Sequence, residues 1–205
     1  RRIKRPSYVW WNFPVTDYCR SNLCMGRVYG LATEPGARES MGGFVSNPMD
    51  KPEASKVSLF GLADYSWNIN GFKSEESWKE GVRRLFPKAA EAMQVFVNHN
   101  SDQGPNGHGY RRAESVEIEP VVKRVLEAAR EGRIEKADAA LLKKEFARMA
   151  SAAPVIRAKA DNPRLMKEIG AWVDAFEQLG RAGQHAVAAL EENNTGEAAT
   201  HLVHA

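Results

Sequence analysis

Near its start, the sequence holds a cluster of aromatic, amide and carboxylate side chains at Trp10, Trp11, Asn12 and Asp17. Indole rings offer broad apolar faces that suit the C–H face of a sugar ring. Carboxylates and amides suit vicinal hydroxyls, which both donate and accept hydrogen bonds. This chemistry favours sugar recognition. The structural alternative is that the Trp pair packs in a core and that Asp17 caps a helix, and the residues alone leave both interpretations open.

Two further polar stretches could carry chemistry. In Ser46-Asn47-Pro48-Met49, the proline holds Asn47 extended, so its amide has a fixed direction, although an ordinary Asn-Pro turn is the alternative. The stretch from His99 to Tyr110 contains two His and one Asp, which could form a metal site. Their spacing matches no standard zinc pattern. A rigid loop between domains, with polar groups that satisfy one another, is the favoured interpretation.

Several function classes are disfavoured. The sequence has no Gly-x-Ser-x-Gly elbow, P-loop, Gly-x-Gly-x-x-Gly or His-Glu-x-x-His motif. Its two cysteines, Cys19 and Cys24, make neither a zinc site nor a disulfide framework. The net charge is only +3, with one short basic cluster at Arg1–Arg5. We therefore expect no metal, no cofactor and no nucleic-acid partner, and no apolar run is long enough to span a membrane.

The elements that position the first cluster follow from local patterns. Ser7–Val15 is aromatic and β-branched and stops at a polar turn, which predicts a strand. The apolar run Lys56–Ala63 predicts a second strand, buried on both faces. The Gly- and Pro-rich segment Gly26–Pro52 between them predicts a long loop with short helical pieces. Since α/β folds bind ligands at the carboxyl ends of their strands, the cluster lies where a site is expected.

Aromatic residues divide the chain, because 15 of 18 lie before residue 111. We predict an α/β domain over residues 1–110 and a helical domain over 111–205, with the boundary in Ser101–Tyr110. Helices are expected to begin at Ser74 and Pro87. In the second part, apolar residues recur at helical spacing over Val121–Ala129, Ala137–Met149, Leu165–Leu179 and Ala182–Leu190.

The segment Tyr8–Tyr18 closely resembles a motif of bacterial glycoside hydrolase family 84, the β-N-acetylglucosaminidases that are also called O-GlcNAcases and that include members named hyaluronidases. The resemblance continues through Met25–Gly30, Gly43–Met49 and His99–Arg112, and it covers nearly the whole chain. It implies a (β/α)8 TIM barrel followed by a helical bundle. Residues 1–110 would be the C-terminal portion of the catalytic barrel, with Ser7–Val15 and Lys56–Ala63 as its last two strands.

The resemblance also implies a reaction. Family members hydrolyse terminal β-linked GlcNAc with retention, through attack of the substrate's own acetamido oxygen and an oxazoline intermediate. Two consecutive Asp residues perform the acid and base steps, and this sequence contains no Asp-Asp pair. The pair is expected upstream, on an N-terminal barrel portion of the same polypeptide or of a companion chain. This chain is therefore expected to carry no catalytic residue and to be inactive alone.

By motif match, the resemblance assigns sugar contacts to five residues. Asp17 would grip sugar hydroxyls, Asn12 and Asn47 would complete the hydrogen-bond set, and Trp10 would form an indole wall near the acetamido group. Trp11 is included with less support, because alternate strand residues face opposite ways. The implied partner is a GlcNAc-bearing glycoprotein or glycan, and the implied location is secreted, periplasmic or on the bacterial surface. The alternative function is a non-catalytic carbohydrate- or protein-binding module.

Overall fold

The computed structural model describes residues 5–105, 113–131 and 133–192. An α/β part precedes a helical part. Its elements are β1 (Ser7–Pro14), α1 (Ala37–Ser40), β2 (Met41–Asn47), α2 (Pro52–Trp67), a 3-10 turn (Ile69–Gly71), α3 (Ser74–Leu85), α4 (Ala90–Asn98), α5 (Glu119–Arg130), α6 (Lys136–Lys159) and α7 (Pro163–Glu191).

The predicted first strand is confirmed as β1, which pairs in parallel with β2. The two strands end side by side, because Val15 N donates to Asn47 O at 3.0 Å just beyond the end of β1. Side chains alternate along β1: Phe13 is fully buried, whereas Trp10 is 68% exposed. One face of the pair therefore packs against the helices, and the other is open.

The predicted strand at Lys56–Ala63 is wrong, because these residues lie inside α2. Pro52 opens that helix, where a missing N–H costs nothing. Val57 and Leu62 are both buried within it. A helix that is covered on several sides shows a continuous apolar run, and such a run cannot be told from a buried strand by periodicity.

The second strand instead lies in the segment predicted as a long loop, Gly26–Pro52. Its two glycines, Gly42 and Gly43, weaken the strand signal in the sequence. Gly43 has a φ of +144°, and a Cβ there would lie 2.8 Å from the ring of Tyr8. Glycine is favoured at this point because residues with a Cβ rarely adopt this φ and because a Cβ would displace the Tyr8 ring.

The helices predicted from Ser74 and over the helical part are confirmed, although α4 begins at Ala90 rather than at Pro87. The separate helix predicted over Ala182–Leu190 is wrong, since α7 continues unbroken to Glu191. Gly180 and Gly183 lie inside α7, where α6 packs close against it. None of the described helices is both long and apolar enough to cross a membrane.

Because α6 approaches α7 closely at Gly180, we predict that one added methyl group there lowers the stability of the chain. A Cβ at Gly180 would lie 2.6 Å from Ala150 N and 2.7 Å from Phe146 O, both of which are backbone atoms that cannot rotate away. We expect Gly180→Ala to destabilise the chain by about 1–3 kcal/mol and to lower Tm by about 2–10 °C in a thermal melt. Gly170→Ala is the matched control, because nothing lies within 4 Å of that site. It should be neutral or stabilising, and equal losses for both variants would contradict the packing argument.

Apolar residues from both parts of the chain form one core. Phe96 on α4 meets Phe176 on α7 edge to face, with ring centroids 5.3 Å apart. The same cluster joins Phe13, Met25 and Met93 to Ile156, Leu165 and Ile169. The division into domains at residues 110 and 111 stays a prediction.

This shared core leads to a prediction for the isolated segment 1–110. Without α6 and α7, its buried residues lose the apolar partners on the helical side, and a two-stranded sheet cannot compensate. We expect the segment to be poorly soluble or to show no cooperative transition when circular dichroism is followed with temperature. A cooperative melt of a monomeric segment would contradict this.

Candidate functional site

Three of the predicted site residues meet on the open face of the strand pair. Trp10 Nε1 donates to Asn12 Oδ1 at 2.8 Å, and Asn47 Nδ2 donates to the same oxygen at 3.2 Å. Within the described ranges, no hydrogen bond engages Asn12 Nδ2 or Asn47 Oδ1. The cluster therefore orients one amide donor and one amide acceptor that a ligand can use.

Asp17 lies in the turn that follows β1, closed by a hydrogen bond of 3.0 Å from Cys19 N to Thr16 O. The helix-cap alternative for Asp17 is wrong, since no helix begins there. Its side chain is exposed, and the described part of the chain offers it no hydrogen bond or ion pair. Asp17 thus adds a carboxylate at the same carboxyl edge, without direct hydrogen bonding to the other three residues.

Trp11 lies on the opposite face of β1. Its ring stacks on Phe13, with centroids 5.3 Å apart, and meets Phe44 at 6.5 Å in an edge-to-face geometry. It packs against the core between strands and helices. A sugar contact by Trp11 stays a prediction, and its observed contacts are structural.

Gln103 holds the backbone at the end of β1, and the sequence analysis did not identify it as a site residue. Its Nε2 donates to the backbone oxygens of Asn12 at 3.0 Å and of Val15 at 2.7 Å. Gln103 is buried, at 6% exposure. It therefore fixes the end of β1 on which the Asn12 side chain and the Asp17 turn depend. In the sequence, Gln103 is marked only by its place in the polar stretch from His99 to Tyr110.

In the described part of the stretch from His99 to Tyr110, His99 forms hydrogen bonds with residues of the helical part. His99 Nδ1 lies 2.7 Å from Ser115 Oγ, and its Nε2 lies 3.0 Å from Glu145 Oε1 on α6. The hydrogen bond to His99 lowers the pKa of the Glu145 carboxyl. His108, the other histidine of the metal alternative, lies outside the described residues. Among those described, no three His, Cys, Asp or Glu side chains form a metal-binding group.

Glu114 anchors the beginning of the loop that carries Gln103. Its Oε1 accepts a hydrogen bond of 2.7 Å from Ser101 N and a longer one, 3.5 Å, from Asp102 N. Burial raises the pKa of the Glu114 carboxyl from its ordinary value, although both backbone donors oppose the shift.

This raised pKa predicts a pH dependence of stability. The folded chain holds the Glu114 proton more tightly than the unfolded chain does, so Glu114 makes the chain less stable as pH rises from about 4.5 through the raised pKa. Glu114→Gln removes that contribution. In urea unfolding at pH 4 and at pH 7, we expect the variant to gain stability relative to the parent as pH rises. A difference that does not change with pH would show that the Glu114 carboxyl has the same pKa in the folded and the unfolded chain.

β1 and β2 are parallel and end in polar and aromatic side chains at their carboxyl edge, which is the edge where the α/β class of folds binds ligands. The comparisons with known proteins specify the class. Residues 1–98 match the family model described as beta-N-acetylglucosaminidase. Residues 114–204 match the model of the bacterial GH84 post-catalytic domain.

Solved structures agree with these matches. CpGH84D is 32% identical, with a TM-score of 0.84 over 97% of this chain and 33% of its own. CpGH84B is 27% identical, with a TM-score of 0.83 over 95% of this chain and 34% of its own. An Asp-to-Asn variant of the Thermobaculum terrenum O-GlcNAc hydrolase is 22% identical and shares the fold, with a TM-score of 0.74 over 98% of this chain and 42% of its own.

The chain belongs to glycoside hydrolase family 84, as its resemblance to that family indicated. It spans about a third of the length of CpGH84D and of CpGH84B. The expected location outside the cytoplasm stays a prediction.

Proposed function

We propose that this chain supplies the sugar-gripping wall of a retaining β-N-acetylglucosaminidase. The observation that carries the proposal is the hydrogen-bonded cluster of Trp10, Asn12 and Asn47 at the carboxyl ends of β1 and β2, beside the Asp17 turn. An indole, two amides and a carboxylate together suit a sugar ring with its hydroxyls and acetamido group.

The strand pair fits the closing portion of a (β/α)8 barrel. β1 and β2 are parallel and adjacent, and α2 follows β2 directly, as in a β/α unit. Each strand has an unpaired edge among the described residues, which the other strands of a closed barrel would cover. On this proposal the last two barrel strands are β1 and β2, Trp10 and Asn12 face the barrel interior, and Trp11 and Phe13 face the helices.

The reaction proposed for the whole enzyme is substrate-assisted. The acetamido oxygen attacks the anomeric carbon while one carboxylate takes the acetamido N–H proton and a carboxylic acid protonates the departing glycosidic oxygen, which yields an oxazoline and the free alcohol. Water then attacks the anomeric carbon and gives a proton to the carboxylate left by that acid, and the oxazoline nitrogen recovers its own proton, so the ring opens with retained configuration. The acid and base are two carboxylates on polypeptide outside this chain, since its sequence has no Asp-Asp pair. The residues of this chain hold the sugar so that its acetamido oxygen reaches the anomeric carbon.

A series of fluorinated substrates tests this mechanism. Replacing the acetyl group of an aryl β-N-acetylglucosaminide by mono-, di- and trifluoroacetyl makes the amide oxygen steadily less nucleophilic. For the full-length enzyme, we expect kcat to fall steeply with each fluorine. A kcat that is insensitive to fluorine would show that an enzyme carboxylate, not the substrate amide, is the nucleophile.

A further inference from the structure

Two side chains of α7, Glu168 and Trp172, stand four residues apart and therefore on one face of the helix. Glu168 contacts the first turn of α2, and Trp172 contacts the loops that follow β1 and β2. We infer that this face of α7 is a positioning element for the sugar pocket, through which the helical part holds the end of β2 at Asn47 and the loop that follows the Asp17 turn. The inference rests on the function proposed above, and it assigns to the helical part a role in substrate binding.

Glu168 caps α2 from a distance of more than a hundred residues in sequence. Its carboxylate accepts hydrogen bonds from Glu53 N, at 2.9 Å to Oε2, and from Ala54 N, at 3.0 Å to the same oxygen. The residue before the helix, Lys51, gives no side-chain cap. The first-turn amides of a helix lack intrahelical partners and favour a negative charge, so a carboxylate from α7 fills the position that a local Asp or Ser usually takes.

The first turn of α2 is linked in turn to Asn47. Ser55 is fully buried, and its Oγ accepts a hydrogen bond of 3.1 Å from Met49 N and donates one of 2.9 Å to Lys51 O. Pro48 restricts Asn47 to extended backbone. The start of α2 is therefore connected to Asn47 through Ser55, Met49 and Pro48, and on this inference a shift of the start of α2 moves the amide of Asn47.

Trp172 reaches the other loop. Its Nε1 donates to Ser21 O at 2.8 Å, four residues beyond Asp17. The same indole ring lies 5.2 Å from Lys51 Nζ, in the loop after β2. One side chain of α7 therefore contacts both loops, and with Glu168 it couples their positions.

The test uses the full-length enzyme with Glu168→Ala, Glu168→Gln and, as matched control, Ile169→Val. Ile169 is the next residue of α7 and is fully buried in the shared core, so its variant loosens α7 without touching the loops. Hydrolysis of an aryl β-N-acetylglucosaminide gives kcat and KM, and hydrogen exchange is followed on the peptide covering residues 47–58.

We expect Glu168→Ala to lower kcat/KM about 10-fold, mostly through KM, because misplaced sugar contacts weaken binding before they affect the distant chemistry. Exchange of the 47–58 peptide should accelerate. Glu168→Gln keeps a carbonyl oxygen as acceptor and should recover a large part of the loss. Ile169→Val should stay within about two-fold of the parent in kcat/KM even though its Tm falls.

A kcat/KM for Glu168→Ala within two-fold of the parent would overturn the inference, as would an equal loss in Ile169→Val. A parent enzyme with no turnover would instead overturn the proposed function. In that case the exchange data decide the positioning role separately. Faster exchange over residues 47–58 in Glu168→Ala alone supports it, and unchanged exchange overturns it.

Discussion

Asp17→Ala should lower kcat/KM of the full-length enzyme on an aryl β-N-acetylglucosaminide by about 30-fold or more. Removing one charged hydrogen-bond partner in such a pocket typically costs about 2–5 kcal/mol, and about 2 kcal/mol corresponds to roughly 30-fold in affinity. Asp17 has the exposure and the position at the carboxyl edge that this role requires.

Asp64→Ala is the matched control, since Asp64 is an exposed carboxylate on α2. It should leave kcat/KM within about two-fold of the parent. If Asp17→Ala lowered kcat/KM by less than about three-fold, Asp17 would not bind the sugar hydroxyls, and its carboxylate would be an ordinary surface charge.

Asn12→Ala should produce the second large loss, about 10- to 30-fold in kcat/KM. Asn12 Oδ1 accepts hydrogen bonds from both Trp10 and Asn47, so its removal takes away one proposed sugar contact and releases the side chains of the two others. Groups that share one hydrogen-bond network are not independent, and the loss should therefore exceed that of a single hydrogen bond.

Double variants test this sharing. The combined loss in Asn12→Ala with Asn47→Ala should be smaller than the product of the two single losses, because Asn12 already positions Asn47. Asn70→Ala is the matched control, as Asn70 is an exposed amide whose hydrogen bonds go to Thr33 O and Glu34 O. Strictly multiplicative losses would contradict a shared network and leave two separate contacts.

Local patterns in the sequence were sufficient for β1 and for most helices. A run of aromatic and β-branched residues that ends at a polar turn predicted β1, and apolar spacing predicted α5, α6 and α7. The failures came where tertiary packing decides. The apolar run in α2 reflects burial on several sides, and β2 contains Gly43 at a φ that residues with a Cβ rarely adopt.

At the candidate site, too, the sequence did not predict contacts that depend on tertiary packing. Asn12, Asp17 and Asn47 stood out because their residue types suit sugar hydroxyls and their motifs match the family. Gln103 and Glu168 did not, because their partners lie about 90 and 115 residues away in sequence. A buried glutamine in a polar loop and a glutamate on a helix carry no local sign of those contacts, so the structure was needed to find them.

The most direct test of the account is the hydrolysis of a fluorogenic β-N-acetylglucosaminide, measured for the full-length enzyme and for the purified chain of 205 residues. The account predicts turnover by the full-length enzyme and none by the chain alone, because the chain supplies sugar contacts without the acid and base. Turnover by the isolated chain would contradict this and make Asp17 a candidate catalytic acid. A full-length protein that binds GlcNAc without hydrolysing its glycosides would identify a binding module instead.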